Sequence, residues 1–195
     1  MSKIEKDFDK AVDIIKKGGV IVAPTDTIYG ILADALNEES VKRVYLLKER
    51  SPEKPFIILI PDITYLSFFG IKPSEKEKKL LKKRGVTVVI DIPDKKFNYL
   101  HRGKRSLAFR IPDNDEVIEF IRKTEKPLIA PSANPEGEEP AKNIKEAVNY
   151  FGDKVDMYID RGDLYGKPST IVKVNGKLRI LREGSVSEEE LKKMI

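Results

Sequence analysis

Val20-Ile21-Val22-Ala23-Pro24-Thr25-Asp26-Thr27-Ile28-Tyr29-Gly30 is the stretch on which the fold turns. Four apolar residues run straight into Pro-Thr-Asp-Thr, the pattern of a buried strand that opens into a hydroxyl-rich loop. Upstream, Ile4, Phe8, Ala11, Val12 and Ile15 recur at helical spacing, and Gly18-Gly19 ends that helix. Downstream of Gly30 the sequence is compatible with a helix. Thr25, Asp26 and Thr27 would then stand at a sheet-to-helix junction, where ligands collect. Thr and Asp serve equally well there as ordinary helix caps.

The alternation continues outward. Helices are expected near 38–48, 62–68, 74–84, 114–124 and 143–150, with strands at 56–60, 86–90, 106–111 and 128–130. A Pro-containing loop separates the strands at 86–90 and 106–111. The last third adds strands near 155–159, 169–174 and 177–182 and a closing helix after Ser187. Helices alternating with strands, then strands in succession, predict an α/β fold with a mixed sheet. A chain of 195 residues with no repeat or linker reads as one domain over 1–195. No apolar run approaches the roughly 20 residues of a membrane span, so a soluble, cytoplasmic protein is expected.

Composition narrows the chemistry. There is no cysteine and only one histidine, His101. Thiol nucleophiles, zinc-thiolate sites and disulfide frameworks are excluded, and no nucleophile-elbow sequence accompanies His101. With 37 Lys+Arg against 32 Asp+Glu, the net charge of +5 favours anionic ligands without demanding nucleic acid.

Several segments present groups suited to such ligands. Lys48-Glu49-Arg50 closes a helix; two residues apart, Lys48 and Arg50 share no helical face, so the helix must end between them if both meet one ligand. Complementing the helix C-terminus is the alternative. In Ser106-Leu107-Ala108-Phe109-Arg110-Ile111 a period of two puts Leu107, Phe109 and Ile111 on a core face. Ser106, Ala108 and Arg110 take the other, which suits a floor for a carboxylate or phosphate, or a solvent-facing arginine. Leu128-Ile129-Ala130-Pro131-Ser132-Ala133-Asn134 is again a strand opening into small polar residues, or a plain turn. Lys167-Pro168-Ser169-Thr170 opens a strand. Arg182-Glu183-Gly184 closes another in which Leu178 and Ile180 share the face of Arg182. Gly162 to Lys167 lacks the spacing of a phosphate-binding loop. His101-Arg102-Gly103-Lys104-Arg105 reads as a solvated basic loop, with weak RNA binding as a secondary reading.

The order of these segments is more specific than any one of them. Pro-Thr-Asp-Thr-x-Tyr-Gly, Lys-x-Arg, Ser-x-Ala-x-Arg-x-Pro, Pro-Ser-Ala-Asn, Ser-Thr-Ile-Val and Arg-x-Gly, spread from about Ala11 to Gly184, closely resemble the threonylcarbamoyl-AMP synthase (YrdC-like) family in its short form. The resemblance implies a twisted mixed sheet flanked by helices, with a concave, positively charged cleft. It also implies a reaction in which L-threonine, bicarbonate or CO2, and ATP give threonylcarbamoyl-AMP and pyrophosphate. The product would pass to a downstream tRNA threonylcarbamoyl transferase that modifies adenosine 37. The substrates supply the nucleophile, and Mg2+ would be held by phosphates and water, with no protein metal site.

By the same resemblance, Thr25, Arg110, Ala130 and Ser169 surround threonine, and Arg110 meets its carboxylate. Lys48, Arg50, Ser106, Ser132, Asn134, Ala141 and Arg182 face ATP, with Lys48 and Arg50 as the catalytic cations. Ala141 stands where the family can have Ser, so only its backbone would serve. Leu59 stands where many members have histidine, Arg50 is followed by Ser51-Pro52 in place of an immediate proline, and Arg182-Glu183-Gly184 replaces Arg-Pro-Gly. The rival readings are an RNA-binding module without catalysis, disfavoured by the lack of an aromatic-rich strand, and the related domain of hydrogenase-maturation carbamoyltransferases. The latter carry zinc fingers and an additional domain for which a cysteine-free chain of this length has no room.

Overall fold

The structure, a computed structural model, describes residues 2–92 and 94–195. In chain order the elements are β1 (Lys3–Glu5), α1 (Asp9–Lys16), β2 (Val20–Pro24), β3 (Tyr29–Asp34), α2 (Glu38–Leu47), β4 (Ile57–Leu59), α3 (Glu75–Leu81), β5 (Val86–Asp91), α4 (Asn98–His101) and β6 (Ser106–Arg110). They continue with α5 (Asp115–Thr124), β7 (Leu128–Ile129), α6 (Ile144–Phe151), β8 (Met157–Ile159), β9 (Thr170–Asn175), β10 (Lys177–Arg182) and α7 (Glu188–Lys192). Short 3-10 helices cover Ile63–Phe69, Lys95–Phe97 and Gly152–Lys154.

All the strands join one mixed sheet in the order β1-β8-β2-β3-β7-β4-β6-β5-β9-β10. The pairs β1/β8, β2/β8, β4/β6 and β5/β9 are parallel, and the other neighbours are antiparallel. The α/β expectation with a mixed sheet holds. No helix of the described residues is long and apolar enough to cross a membrane.

Two expectations fail near the N-terminus. Ile4 does not belong to the first helix, which begins only at Asp9. Lys3–Glu5 pairs in parallel with Met157–Ile159 as an edge strand, and Ile4 is exposed. The stretch after Gly30 is no helix but β3, which forms an antiparallel hairpin with β2, Val22 opposite Ile31. Ile31 and Ala33 pack on one side of the sheet and Leu32 on the other. A strand buried on both faces shows no alternation and is easily mistaken for a buried helix.

The layers explain where a ligand can enter. One face of the sheet packs along its length against α2, α3, α4, α6 and α7, through side chains such as Val44, Leu80, Leu100, Ala147 and Leu191. Among the described residues the opposite face is covered mainly by α1 and α5, with Tyr65 of the Ile63–Phe69 helix beside them; Ala11, Ile15, Phe120 and Ile121 meet Ile21, Leu32, Leu59, Leu128 and Met157. Those sheet residues come from β2, β3, β4, β7 and β8. Over β6, β5 and β9 the same face carries no helix of this layer, so Ala108, Val89 and Ile171 stay only half-buried. A sheet half-dressed on one side leaves a concavity at the boundary.

Leu59 resolves one departure in the sequence. Its side chain lies wholly inside the layer between the sheet and α1/α5, so it adds core packing rather than a contact in the concavity.

Candidate active site

A cavity of about 270 Å3 opens at that boundary, near the small end of the roughly 300–1,000 Å3 common for ligand pockets. Its lining draws on all six of the sequence segments: Thr25 with Thr27 to Gly30, Arg50, Arg110 on the floor, Ala130 to Ser132, Pro168-Ser169, and Arg182, with Phe56 beside Arg50. Three guanidiniums reach the lining and, among the described residues, no carboxylate does.

Arg110 ends β6 on the small-residue face that the alternation predicts, and it is only 5% exposed. Its Nη2 lies 3.0 Å from Asp26 Oδ1, and its Nη1 donates to Thr27 Oγ1 at 3.4 Å. The carboxylate contact is an ion pair without hydrogen-bond alignment: Asp26 Oδ1 and Arg110 Nε both lack hydrogen-bond partners. Burial lowers the arginine's pKa, Asp26 opposes this, and Arg182 adds repulsion. An anion brought between Arg110 and Arg182 would relieve both the repulsion and the unpaired donor.

Thr25 sits in the tight link between β2 and β3. Its Oγ1 donates to the Ile28 carbonyl at 2.7 Å and accepts the Thr27 amide at 3.2 Å, so the hydroxyl caps a turn, not a helix. Its neighbour Thr27, absent from the residues assigned by resemblance, also lines the cavity and joins Thr25 Oγ1 at 3.2 Å. The second threonine of Pro-Thr-Asp-Thr was the available signal.

Lys48 and Arg50 separate as their spacing demands. α2 ends at Leu47, Lys48 caps it, and Glu49 takes a left-handed φ of 49°. Arg50 then turns into the cavity, its guanidinium above the Phe56 ring. Lys48 does not line the cavity. It is 1% exposed and donates from Nζ to the Ser132 and Asn134 carbonyls at 2.6 and 2.5 Å. Burial, then repulsion from Arg50, lowers its pKa to about 7 against the pull of Glu136. The ammonium thus braces the Pro-Ser-Ala-Asn loop from beneath.

Asn134 also stands outside the lining, its amide donating to the Pro135 and Glu138 carbonyls. Ala141 is buried, and its backbone N–H donates to the Ala133 carbonyl, which leaves no free N–H for a ligand. Ser106 lies on the face of Arg110 but four residues away along the strand, about 13 Å at ordinary rise. Thr25, Arg50, Arg110, Ala130, Ser132, Ser169 and Arg182 do meet around the one cavity.

The last wall is held from behind. Ser169 Oγ lies 2.7 Å from Thr87 Oγ1, and Thr170 Oγ1 donates to the Val186 carbonyl while accepting the Gly184 and Val186 amides. A Cβ on Gly184 would come within 2.3 Å of the Pro168 carbonyl, so the turn needs glycine. Arg182 does not simply follow Leu178 and Ile180: a bulge puts it opposite Ile171, and its Nη2 donates to the Ser169 carbonyl at 2.9 Å.

His101 and Arg102 depart from the expected solvated loop. His101 is buried with Nδ1 accepting the Gly103 amide, and Arg102 stacks 4.2 Å from the Tyr45 ring centroid. Lys104 and Arg105 are exposed.

Comparison with known proteins finds a family and several relatives. The Sua5/YciO/YrdC family model, described as "Telomere recombination", matches residues 13–184. The threonylcarbamoyl-AMP synthase of Bacillus subtilis (strain 168) is 27% identical over 201 residues, spanning 100% of this chain and 58% of that protein. A putative threonylcarbamoyl-AMP synthase of Methanocaldococcus jannaschii is 32% identical over 200 residues, covering 96% and 92%. A crystal structure of Pyrococcus abyssi Sua5 complexed with L-threonine superposes with a TM-score of 0.88 at 26% identity, covering 100% of this chain and 61% of that one. The chain therefore spans somewhat over half the length of two of these three relatives. With the family match running over most of its length, the chain belongs to the Sua5/YciO/YrdC family.

Proposed function

We propose that the chain, acting as a single domain, is a cytoplasmic L-threonylcarbamoyladenylate synthase, a nucleotidyltransferase serving the t6A37 modification of tRNA. The observation that carries the reading is Arg110: a buried guanidinium on the cavity floor with an unpartnered Nε, set among the hydroxyl-bearing Thr25, Thr27 and Ser169. A small zwitterion with a side-chain hydroxyl matches that set, its carboxylate on Arg110 and its hydroxyl among the threonine and serine oxygens.

Threonine's amine adds to CO2, supplied by bicarbonate, and loses a proton to give a carbamate. A carbamate oxygen then forms a bond to the α-phosphorus of ATP as the bond to the bridging oxygen breaks and pyrophosphate leaves. The protein contributes no nucleophile. Arg50 and Arg182 balance the charge that moves onto the leaving pyrophosphate, Ser132 offers a hydrogen bond, and Lys48 holds the loop that presents it. Asn134, Ala141 and Ser106 support or extend the nucleotide side.

No group of three or more His, Cys, Asp or Glu that could hold a metal occurs among the described residues, and the cavity lining offers hydroxyls and guanidiniums. These residues do not fit a dedicated Mg2+ site. The mixed anhydride formed is an activated acyl donor, which calls for a downstream transferase that accepts it together with tRNA.

The test is pyrophosphate release from ATP with L-threonine and bicarbonate omitted in turn. The reading expects release only when all three are present. Release independent of threonine, or none at all, overturns it.

A further inference from the structure

Glu136 lies in the Pro135 to Pro140 loop and grips the turn that carries Arg50 at three points. Its backbone N–H donates to the Lys48 carbonyl at 2.7 Å, and its Oε2 accepts the Ser51 amide at 2.7 Å. Its Oε1 pairs with Lys54 Nζ. Lys54 in turn supplies the carbonyl that accepts from Arg50 Nε at 3.2 Å and from the Tyr45 hydroxyl at 3.0 Å. Among the described residues no carboxylate lies within ion-pair distance of Arg50, so that carbonyl and the Phe56 ring are what hold its guanidinium.

Two cavity walls that are more than 80 residues apart in sequence are thereby joined by one side chain. The same carboxylate neutralises Lys54, which would otherwise compete for an anion arriving at Arg50. We infer that Glu136 is a positioning residue: it latches the Lys48–Phe56 turn to the Ser132–Pro140 loop and aims Arg50 at the phosphates of a nucleoside triphosphate. This deepens the ATP-binding part of the proposed function and rests on it.

The experiment compares Glu136→Ala, Glu136→Gln and the charge-reversed pair Glu136→Lys/Lys54→Glu with the unaltered protein. Two readouts are taken: KM for ATP and for L-threonine from pyrophosphate release, and exchange of the Arg50 Nε–H by NMR. The latch predicts that Glu136→Ala raises the ATP KM by about tenfold, the equivalent of roughly 1.4 kcal/mol, with the threonine KM within about twofold. Glu136→Gln, which keeps an acceptor for Ser51, falls between. The reversed pair recovers part of the loss. A merely structural role would shift both KM values together or lower Tm alone.

The NMR readout needs no turnover: Arg50 Nε–H exchange accelerates in Glu136→Ala if the latch holds Lys54 in place. Unchanged exchange, or an unchanged ATP KM in Glu136→Ala, overturns the inference. If the unaltered protein shows no threonine-dependent release while Arg50 exchange still responds to Glu136, the latch stands and the proposed activity falls.

Discussion

Replacing Arg110 by methionine removes one half of an ion pair whose two side chains are 6% and 2% exposed. Breaking a buried pair from one side costs about 3–5 kcal/mol, because the charge left behind has lost its partner. Arg110 borders a cavity that water can enter, so the lower end, about 3 kcal/mol, is the expectation for Arg110→Met. If the loss arises from the stranded Asp26 carboxylate, Asp26→Asn in the Arg110→Met background should return stability. The double variant is then expected within about 1 kcal/mol of the unaltered protein, a recovery of about 2 kcal/mol over Arg110→Met alone. Urea unfolding at pH 7 reads this directly: with a slope of about 2 kcal/mol per molar, Arg110→Met lowers the midpoint by about 1.5 M and the second change restores most of it. The refolded double variant still lacks the guanidinium and should not bind L-threonine in calorimetry. A loss below about 1 kcal/mol for Arg110→Met, or an Asp26→Asn change that adds to the loss, would refute the pairing argument.

Lys48 makes a pH prediction. Its folded pKa is lowered from 10.5 to about 7, so between those values the unfolded chain holds more protons and stability contributed by this residue rises with pH. The slope is at most about 1.4 kcal/mol per pH unit, and Lys48→Met should abolish it, so the gap between the two proteins' urea midpoints must change across pH 7 to 10; a constant gap contradicts the assignment. Thr170→Val strands two amides and a carbonyl that now meet its hydroxyl, with an expected loss of about 2–4 kcal/mol in urea unfolding and weaker ATP saturation through Arg182. Gly166→Ala would set a Cβ 1.8 Å from the Thr27 carbonyl, so a loss of about 1–3 kcal/mol and a raised threonine KM are expected; an unaltered KM would show that this crossing does not shape the cavity.

What could be read from the sequence was whatever local periodicity carries. The alternation in Ser106 to Ile111 fixes which face Arg110 takes, and the spacing of Lys48 and Arg50 forces a helix end between them; both features appear as expected. β3 was hidden because both its faces are buried, which erases the period of two. β1 was hidden because three residues at a sheet edge fit the helical spacing that follows. The site was legible as a set of motifs but not as a set of directions. Whether the Lys48 ammonium points into the cavity or under the neighbouring loop depends on a contact with residues 84 and 86 positions away. The bulge that re-aims Arg182 and the Glu136 link to Lys54 are likewise long-range pairings with no local pattern.

A crystal structure of the chain grown with L-threonine measures the floor of the cavity directly. The carboxylate is predicted within about 3 Å of the Arg110 guanidinium, with the side-chain hydroxyl among Thr25, Thr27 and Ser169. Threonine bound elsewhere, or bound here with its carboxylate turned away from Arg110, would contradict this placement.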